Sequence, residues 1–140
     1  MKFGIVGTNI VSDSFMSTAK NLAEIEIISV CSKKVENAER FAEKYKIPHT
    51  YKTYQEMCES NTIEAVYLAV PNSLHYELTC YFLNHKIPVL CEKPLASNAR
   101  EVKEMVKCAR ENKTYLRTPL EKAHDFSHGL NPKEFVNQLY

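Results

Sequence analysis

Short apolar runs alternate with amphipathic stretches from the first residues of this chain to about residue 112, and this alternation limits the possible folds more than any other feature. The apolar runs have the length of strands, and the stretches between them place apolar residues at helical spacing. Five strand–helix alternations with short connections predict an α/β fold with a doubly wound parallel sheet covered on both faces. The predicted strands are residues 2–7, 26–31, a short 49–51, 65–70 and 88–91.

The fourth apolar run helps to predict the order of the strands. Residues 65–70 are apolar at every position, as expected of a strand that is buried on both faces. We therefore expect this strand and the strand at residues 2–7 to be central in the sheet. Helices are predicted at residues 12–22, 35–45, 53–58, 72–84 and 98–112.

The pattern changes near the end of the chain. Thr118-Pro119 and Asn131-Pro132 each place a capping residue before a proline, with a glutamate two residues later, which predicts two short helices. We expect one domain over residues 1–116 and a helical tail over residues 117–140. His124 and His128 in the tail lack a third ligand, so we expect solvated histidines and no metal site.

Charge and cysteine content exclude several classes of partner. Lys and Arg number 18 against 17 Asp and Glu, so no net field recruits nucleic acid or a membrane surface. The apolar runs are too short to span a bilayer. The 5 cysteines form no C-x-x-C pair, which argues against a disulfide framework or a zinc knuckle. Scattered thiols fit a reducing compartment, and we expect the cytoplasm.

The first turn is the first candidate for a binding loop. Gly7 follows the first strand and can form the tight turn that brings helix amides to a phosphate group. Asn9 occupies the position of the second glycine in the usual G-x-G-x-x-G pattern, so its side chain lies where a phosphate would approach. On these residues alone, the segment is either a phosphate-binding loop or an ordinary tight turn.

The ends of three later strands carry polar residues. Ser32, Lys33 and Lys34 follow the second strand, where a hydroxyl and two ammonium groups suit a 2′-phosphate, or simply a solvated loop. Asn72 and His75 follow the fourth strand. They are either ligand contacts or simply a helix cap and a surface residue. Lys93 follows the fifth strand, where an ammonium group can polarise an oxygen or relay a proton, or merely precede a proline turn.

Four segments, taken together, resemble those of one known protein family. They are G-T-N at 7–9, S-K-K at 32–34, A-V-P-N-S-L-H at 69–75 and C-E-K-P-L-A at 91–96. Over residues 2 to about 116 the chain resembles the nucleotide-binding half of the glucose–fructose oxidoreductase / inositol dehydrogenase (Gfo/Idh/MocA) family. The resemblance implies a Rossmann fold and an NAD(P)-dependent oxidoreductase acting on a sugar, polyol or related diol. The absence of a carboxylate after the second strand favours NADP, with NAD as the alternative.

The resemblance also implies roles for individual residues. The residues that would contact the pyrophosphate are Gly7, Thr8, Asn9 and Val11, and those that would contact the adenosine ribose are Ser32 and Lys33. The nicotinamide side would be lined by Pro71, Asn72 and His75. Glu92 and Lys93 would lie beside the nicotinamide and the substrate, with Lys93 as the catalytic lysine.

The family continues for a further domain that supplies the substrate pocket and the oligomer interface, and residues 117–140 do not resemble its beginning. We therefore expect a nucleotide-binding half that binds cofactor without turnover and that self-associates or covers its apolar surface with the tail. The alternative function is a non-catalytic dinucleotide-binding module or sensor. A flavodoxin-like response regulator is disfavoured because the strand ends carry Ser32, Asn72 and Lys93 and no acidic cluster.

Overall fold

The computed structural model describes residues 1–118, which form one six-stranded parallel sheet with helices on both faces. The strands are β1 (Lys2–Val6), β2 (Glu26–Cys31), β3 (His49–Tyr51), β4 (Ala65–Leu68), β5 (Val89–Cys91) and β6 (Leu116–Arg117). The helices are α1 (Ile10–Ala19), α2 (Val35–Tyr45), α3 (Tyr54–Glu59), α4 (Asn72–Asn84) and α5 (Ala99–Glu111). The predicted doubly wound α/β fold is confirmed, and the two predicted short helices of the tail lie outside the described residues.

The strand order is β3-β2-β1-β4-β5-β6, so β1 and β4 are neighbours in the middle of the sheet, as predicted. Successive side chains of a strand point to opposite faces, and β4 therefore contributes to two cores. Ala65 and Tyr67 pack into the core under α1 and α2, whereas Val66 and Leu68 pack into the core with α4. All four are buried, which explains why this run is apolar throughout.

Several element boundaries differ from the predictions, among them the end of α1 at Ala19, where residue 22 was predicted. The first helix begins at Ile10, two residues earlier than predicted, because Asn9 caps it. The two-residue strand β6 was not predicted; it pairs with β5 and includes Arg117, one residue beyond the predicted domain boundary at Leu116. Among residues 1–118, no helix is both long and apolar enough to cross a membrane.

The order of the strands determines where a ligand can enter. Chain connections run outward in opposite directions from β1 and β4, so the loops after these two strands diverge and leave a crevice at their carboxyl ends. In parallel sheets with this topology, ligands bind in that crevice. The loops that follow β1, β2, β4 and β5 all lie at this edge, and they contain the predicted site residues.

Candidate dinucleotide-binding site

The loop after β1 is held against the end of β4. Gly7 has a φ of 102°, and a Cβ atom at this position would lie 2.0 Å from the carbonyl oxygen of Ala69. The Gly7 amide donates a hydrogen bond of 2.9 Å to the carbonyl oxygen of Cys31 on β2. Because the backbone conformation and the close approach both require glycine, the turn is fixed between the ends of its two neighbouring strands.

Asn9 is the N-cap of α1, with extended backbone at a φ of −89°. Its Oδ1 accepts hydrogen bonds from the amides of Val11 (3.0 Å) and Ser12 (3.2 Å). Its Nδ2 donates to the carbonyl oxygen of Ala69 at 3.0 Å, so the same side chain also links the turn to the end of β4. The side chain at the second-glycine position therefore closes part of the helix N-terminus.

The remaining amides of this turn are available for an anion. Among residues 1–118, the backbone N–H groups of Thr8, Asn9 and Ile10 have no acceptor. A helix N-terminus carries partial positive charge, and N–H groups that point out of it bind phosphate. The turn therefore fits one pyrophosphate. It offers fewer N–H donors than a loop with glycine in place of Asn9, in which the amides of Val11 and Ser12 would also be free.

The loop after β2 begins at Ser32, which is predicted to contact an adenosine ribose. The hydroxyl groups of Thr8 and Ser32 lie 3.2 Å apart, which joins the first turn to the end of β2. Ser32 is buried, and Lys33 and Lys34 are exposed beside it. A cleft of about 280 Å³ opens next to Thr8, and it is lined by Asp13, Asn37, Arg40, Phe41 and Lys44 as well. Sequence reasoning did not single out Arg40, because a charged residue on a polar helix face gives no signal.

His75 is completely buried although it lies on the first turn of α4. Its Nδ1 lies 2.7 Å from the carbonyl oxygen of Pro94, and its Nε2 lies 2.8 Å from that of Val70. The imidazole therefore joins the loop after β4 to the loop after β5. Pro71 and Asn72, in contrast, are exposed at the mouth of the crevice, where a bound group could contact them.

Glu92 is half-buried at the end of β5. Its Oε1 accepts a hydrogen bond of 2.6 Å from the hydroxyl group of Tyr67 on β4, and its Oε2 accepts one of 3.3 Å from the backbone amide of Lys93. Burial, together with the Glu92 carboxylate, raises the pKa of Tyr67, so the hydroxyl stays a donor. Sequence reasoning missed Tyr67, because an apolar run gives no sign that one of its hydroxyl groups orients a carboxylate.

Lys93 follows directly, and its side chain is exposed at the same edge of the sheet. The structure thus gathers the predicted residues in four loops at the carboxyl ends of the strands, joined by the Thr8–Ser32, Asn9–Ala69 and His75–Pro94 contacts. It places His75 inside the protein and the other predicted nicotinamide-side residues at the surface. Among the described residues, no group of three His, Cys, Asp or Glu side chains could hold a metal, and His124 and His128 lie outside this region.

The strand order, the glycine turn and the open helix N-terminus define a dinucleotide-binding Rossmann domain. Residues 1–118 match the family described as "Oxidoreductase family, NAD-binding Rossmann fold", and the chain belongs to this Gfo/Idh/MocA oxidoreductase family.

Two curated proteins are similar to this chain in sequence. The uncharacterized oxidoreductase YgjR of Escherichia coli K12 is 42% identical over 116 residues, and the scyllo-inositol 2-dehydrogenase (NADP(+)) IolU of Bacillus subtilis 168 is 40% identical over 116 residues. Each alignment covers 83% of this chain and 35% of the relative, so the chain spans about a third of the length of these proteins.

A solved structure shares the fold. The 3-ketoreductase KijD10 of Actinomadura kijaniata, crystallised with NADP and TDP-benzene, superposes with a TM-score of 0.80 at 24% identity. The match covers 84% of this chain and 36% of that one. The agreement extends over nearly all of the described residues and shows that the parallel sheet and its helices are arranged as in that protein.

Proposed function

We propose that this chain binds NADP(H) in preference to NAD(H) at the crevice between β1 and β4. The observation that carries the proposal is the end of β2, where a buried serine hydroxyl lies 3.2 Å from Thr8 and two exposed lysines follow it. A carboxylate at this position would accept hydrogen bonds from an unmodified ribose and would repel a 2′-phosphate. Ser32, Lys33 and Lys34 supply hydrogen bonds and positive charge instead.

The proposed function of the whole protein is hydride transfer on a sugar, polyol or related diol. A bound nicotinamide would supply the hydride chemistry. Lys93, exposed beside the crevice, would donate a proton or hydrogen bond to the oxygen on the reacting carbon, and Glu92, held by Tyr67, would keep the adjoining loop in position. The similarity to an NADP(+)-dependent inositol dehydrogenase supports a polyol as the substrate.

Hydride transfer requires the reacting carbon to be held at near-attack distance, an effect that is worth about 7–11 kcal/mol. Among the predicted site residues that follow β4 and β5 within residues 1–118, Lys93 is the one that carries an ammonium group. We therefore propose that substrate positioning needs protein beyond these residues, and that residues 1–140 alone bind cofactor without turnover. The five cysteines, none of them in a disulfide, support a reducing compartment such as the cytoplasm.

The preference for NADP(H) is tested by titrating NADPH and NADH into the 140-residue chain and into the Lys33→Ala and Lys103→Ala variants. Lys103 is an exposed lysine on α5 and serves as the matched control. We expect Lys33→Ala to weaken NADPH binding about fivefold and to leave NADH binding unchanged, since an exposed ion pair contributes up to about 1 kcal/mol. Added salt should reduce the preference. Equal affinities for the two cofactors in the unmodified chain would refute the proposal.

A further inference from the structure

Two cysteines lie side by side between α4 and α5, away from the crevice. The Sγ of Cys108 is 3.8 Å from the carbonyl oxygen of Cys80, so the Cys108 thiol lies against Cys80. Both side chains are half-buried, whereas the other cysteines, Cys31, Cys58 and Cys91, are buried. The pair therefore combines a contact between two cysteines with access to a solute.

The pair is the middle one of three contacts between the two helices. Residues four apart lie on the same face of a helix, and Tyr76, Cys80 and Asn84 form such a row on α4. A matching row on α5 and its C-cap consists of Glu104, Cys108 and Asn112. The hydroxyl group of Tyr76 donates to the Glu104 carboxylate, and Nδ2 of Asn112 donates to Oδ1 of Asn84 at 3.0 Å. The contacts on either side hold the helices in the register that places Cys80 opposite Cys108.

We propose that Cys80 and Cys108 form a reversible intramolecular disulfide when the protein meets a low-molecular-weight disulfide such as oxidised glutathione. The inference rests on the α4–α5 contact alone and does not depend on the proposed cofactor or reaction.

The chemistry needs two exchange steps. The Cys108 thiolate attacks one sulfur of oxidised glutathione, forming a mixed disulfide and releasing one glutathione thiolate. The Cys80 thiolate then attacks the Cys108 sulfur of the mixed disulfide and releases the second glutathione. In total, the two cysteines lose two protons and two electrons, and one molecule of glutathione disulfide becomes two of glutathione.

The surroundings of the thiols support this order. Burial first, and then the neighbouring Cys108 and Glu104, raise the pKa of Cys80 to about 12, so Cys80 is a poor first nucleophile. In the mixed disulfide, Cys108 no longer has a thiol that opposes the ionisation of Cys80. The Cys108 thiol also gives up its 3.2 Å contact with Oδ1 of Asn84, which keeps its hydrogen bond from Asn112.

The experiment incubates the full 140-residue chain with oxidised glutathione and measures its intact mass and free thiols. We expect a mass lower by two hydrogen atoms, three free thiols of the original five, and full recovery with dithiothreitol. No Lys or Arg lies between Thr53 and His85, so Cys58 and Cys80 share one tryptic peptide. A second protease that cleaves after Tyr67 or Tyr76 is therefore needed to identify the linked residues.

Three variants make the test specific. Cys80→Ser should stop at the glutathione adduct on Cys108, Cys108→Ser should form no intramolecular disulfide, and Cys58→Ser should still form one. Since the cross-link closes a loop of about 28 residues, it should raise the Tm of the oxidised chain by on the order of 10 °C. A wild-type chain that keeps five free thiols, that stops at the mixed disulfide, or that links another pair would overturn the proposal without any bearing on cofactor binding.

Discussion

The Nδ1 atom of His75 lies 2.7 Å from the carbonyl oxygen of Pro94, 19 positions later in the chain, and this contact joins the loops after β4 and β5. The other ring nitrogen meets the carbonyl oxygen of Val70 at 2.8 Å. Carbonyl oxygens only accept hydrogen bonds, so the hydrogen bonding in these contacts is donated by the imidazole ring. The ring thus fixes the position of the segment that carries Glu92 and Lys93.

We therefore expect His75→Ala to destabilise the protein by about 3 kcal/mol, because it removes a fully buried ring together with its contacts to the carbonyl oxygens of Val70 and Pro94. The free energy of unfolding in urea measures this loss. His85→Ala is the control, since His85 is exposed at the C-cap of α4 and its ring contacts only the nearby Tyr81, through the carbonyl oxygen and the aromatic ring, among the described residues. Similar small losses in both variants would show that His75 does not hold the two loops together.

A second expectation concerns the hydrogen bond of 2.6 Å from Tyr67 to Glu92. Tyr67→Phe keeps the ring that stacks on Phe15 and removes only the donor, so we expect a loss of about 2 kcal/mol for a bond to a charged group. Tyr76→Phe removes a similar bond to Glu104 at the surface and should cost at most about 0.5 kcal/mol.

The pH dependence of this pair has a defined sign. Folding raises the pKa of Tyr67. The stabilisation from its hydrogen bond to Glu92 is therefore complete below the pKa of tyrosine in the unfolded chain, about 10, and is lost as the pH rises towards its pKa in the folded protein. The difference in unfolding free energy between wild type and Tyr67→Phe should therefore be constant from pH 7 to 9 and shrink above pH 10. Urea titrations at several pH values measure it. A difference that grows above pH 10 would contradict the assigned cause.

Much of the fold could be predicted because burial on both faces leaves a strong pattern. The run at residues 65–70 is apolar throughout, and the helix at Val35–Tyr45 repeats its apolar residues at helical spacing, so both elements were predicted at nearly the observed positions. Strand β6 has two residues, Leu116 and Arg117, which is too short for any period to appear. Its existence depends on pairing with β5, which residue patterns do not describe.

The site was predictable in its location but less so in its contacts. In a parallel sheet the carboxyl ends of the strands lie at one edge, so the sequence alone predicted that Ser32, Asn72 and Lys93 lie there. The burial of His75 could not be predicted, since its partners are backbone carbonyl groups that every residue carries. The start of α1 was misplaced because Asn9 was compared with a glycine, although asparagine is one of the preferred N-cap residues.

The last expectation separates the two roles of Asn9, as a helix cap and as a phosphate contact. Asn9→Gly removes the hydrogen bonds to the Val11 and Ser12 amides and the one to Ala69. Glycine is itself a tolerable N-cap, so we expect a loss of about 1 kcal/mol in unfolding free energy, mostly from the lost contact with Ala69. The two released amides can then face a phosphate, and we expect NADPH to bind several-fold more tightly.

Thr53→Gly is the matched control for this variant. Thr53 caps α3 by accepting a 3.1 Å hydrogen bond from the Glu56 amide, beside the edge strand β3 and away from the crevice between β1 and β4. It should lose less stability than Asn9→Gly, roughly a few tenths of a kcal/mol, because it gives up only the cap, and it should keep the NADPH affinity of the wild type. Urea unfolding and fluorescence titration give the two quantities on the same samples. Weaker NADPH binding by Asn9→Gly would mean that the asparagine side chain itself contacts the pyrophosphate, whereas tighter binding would mean that it competes with the phosphate for the first turn of α1.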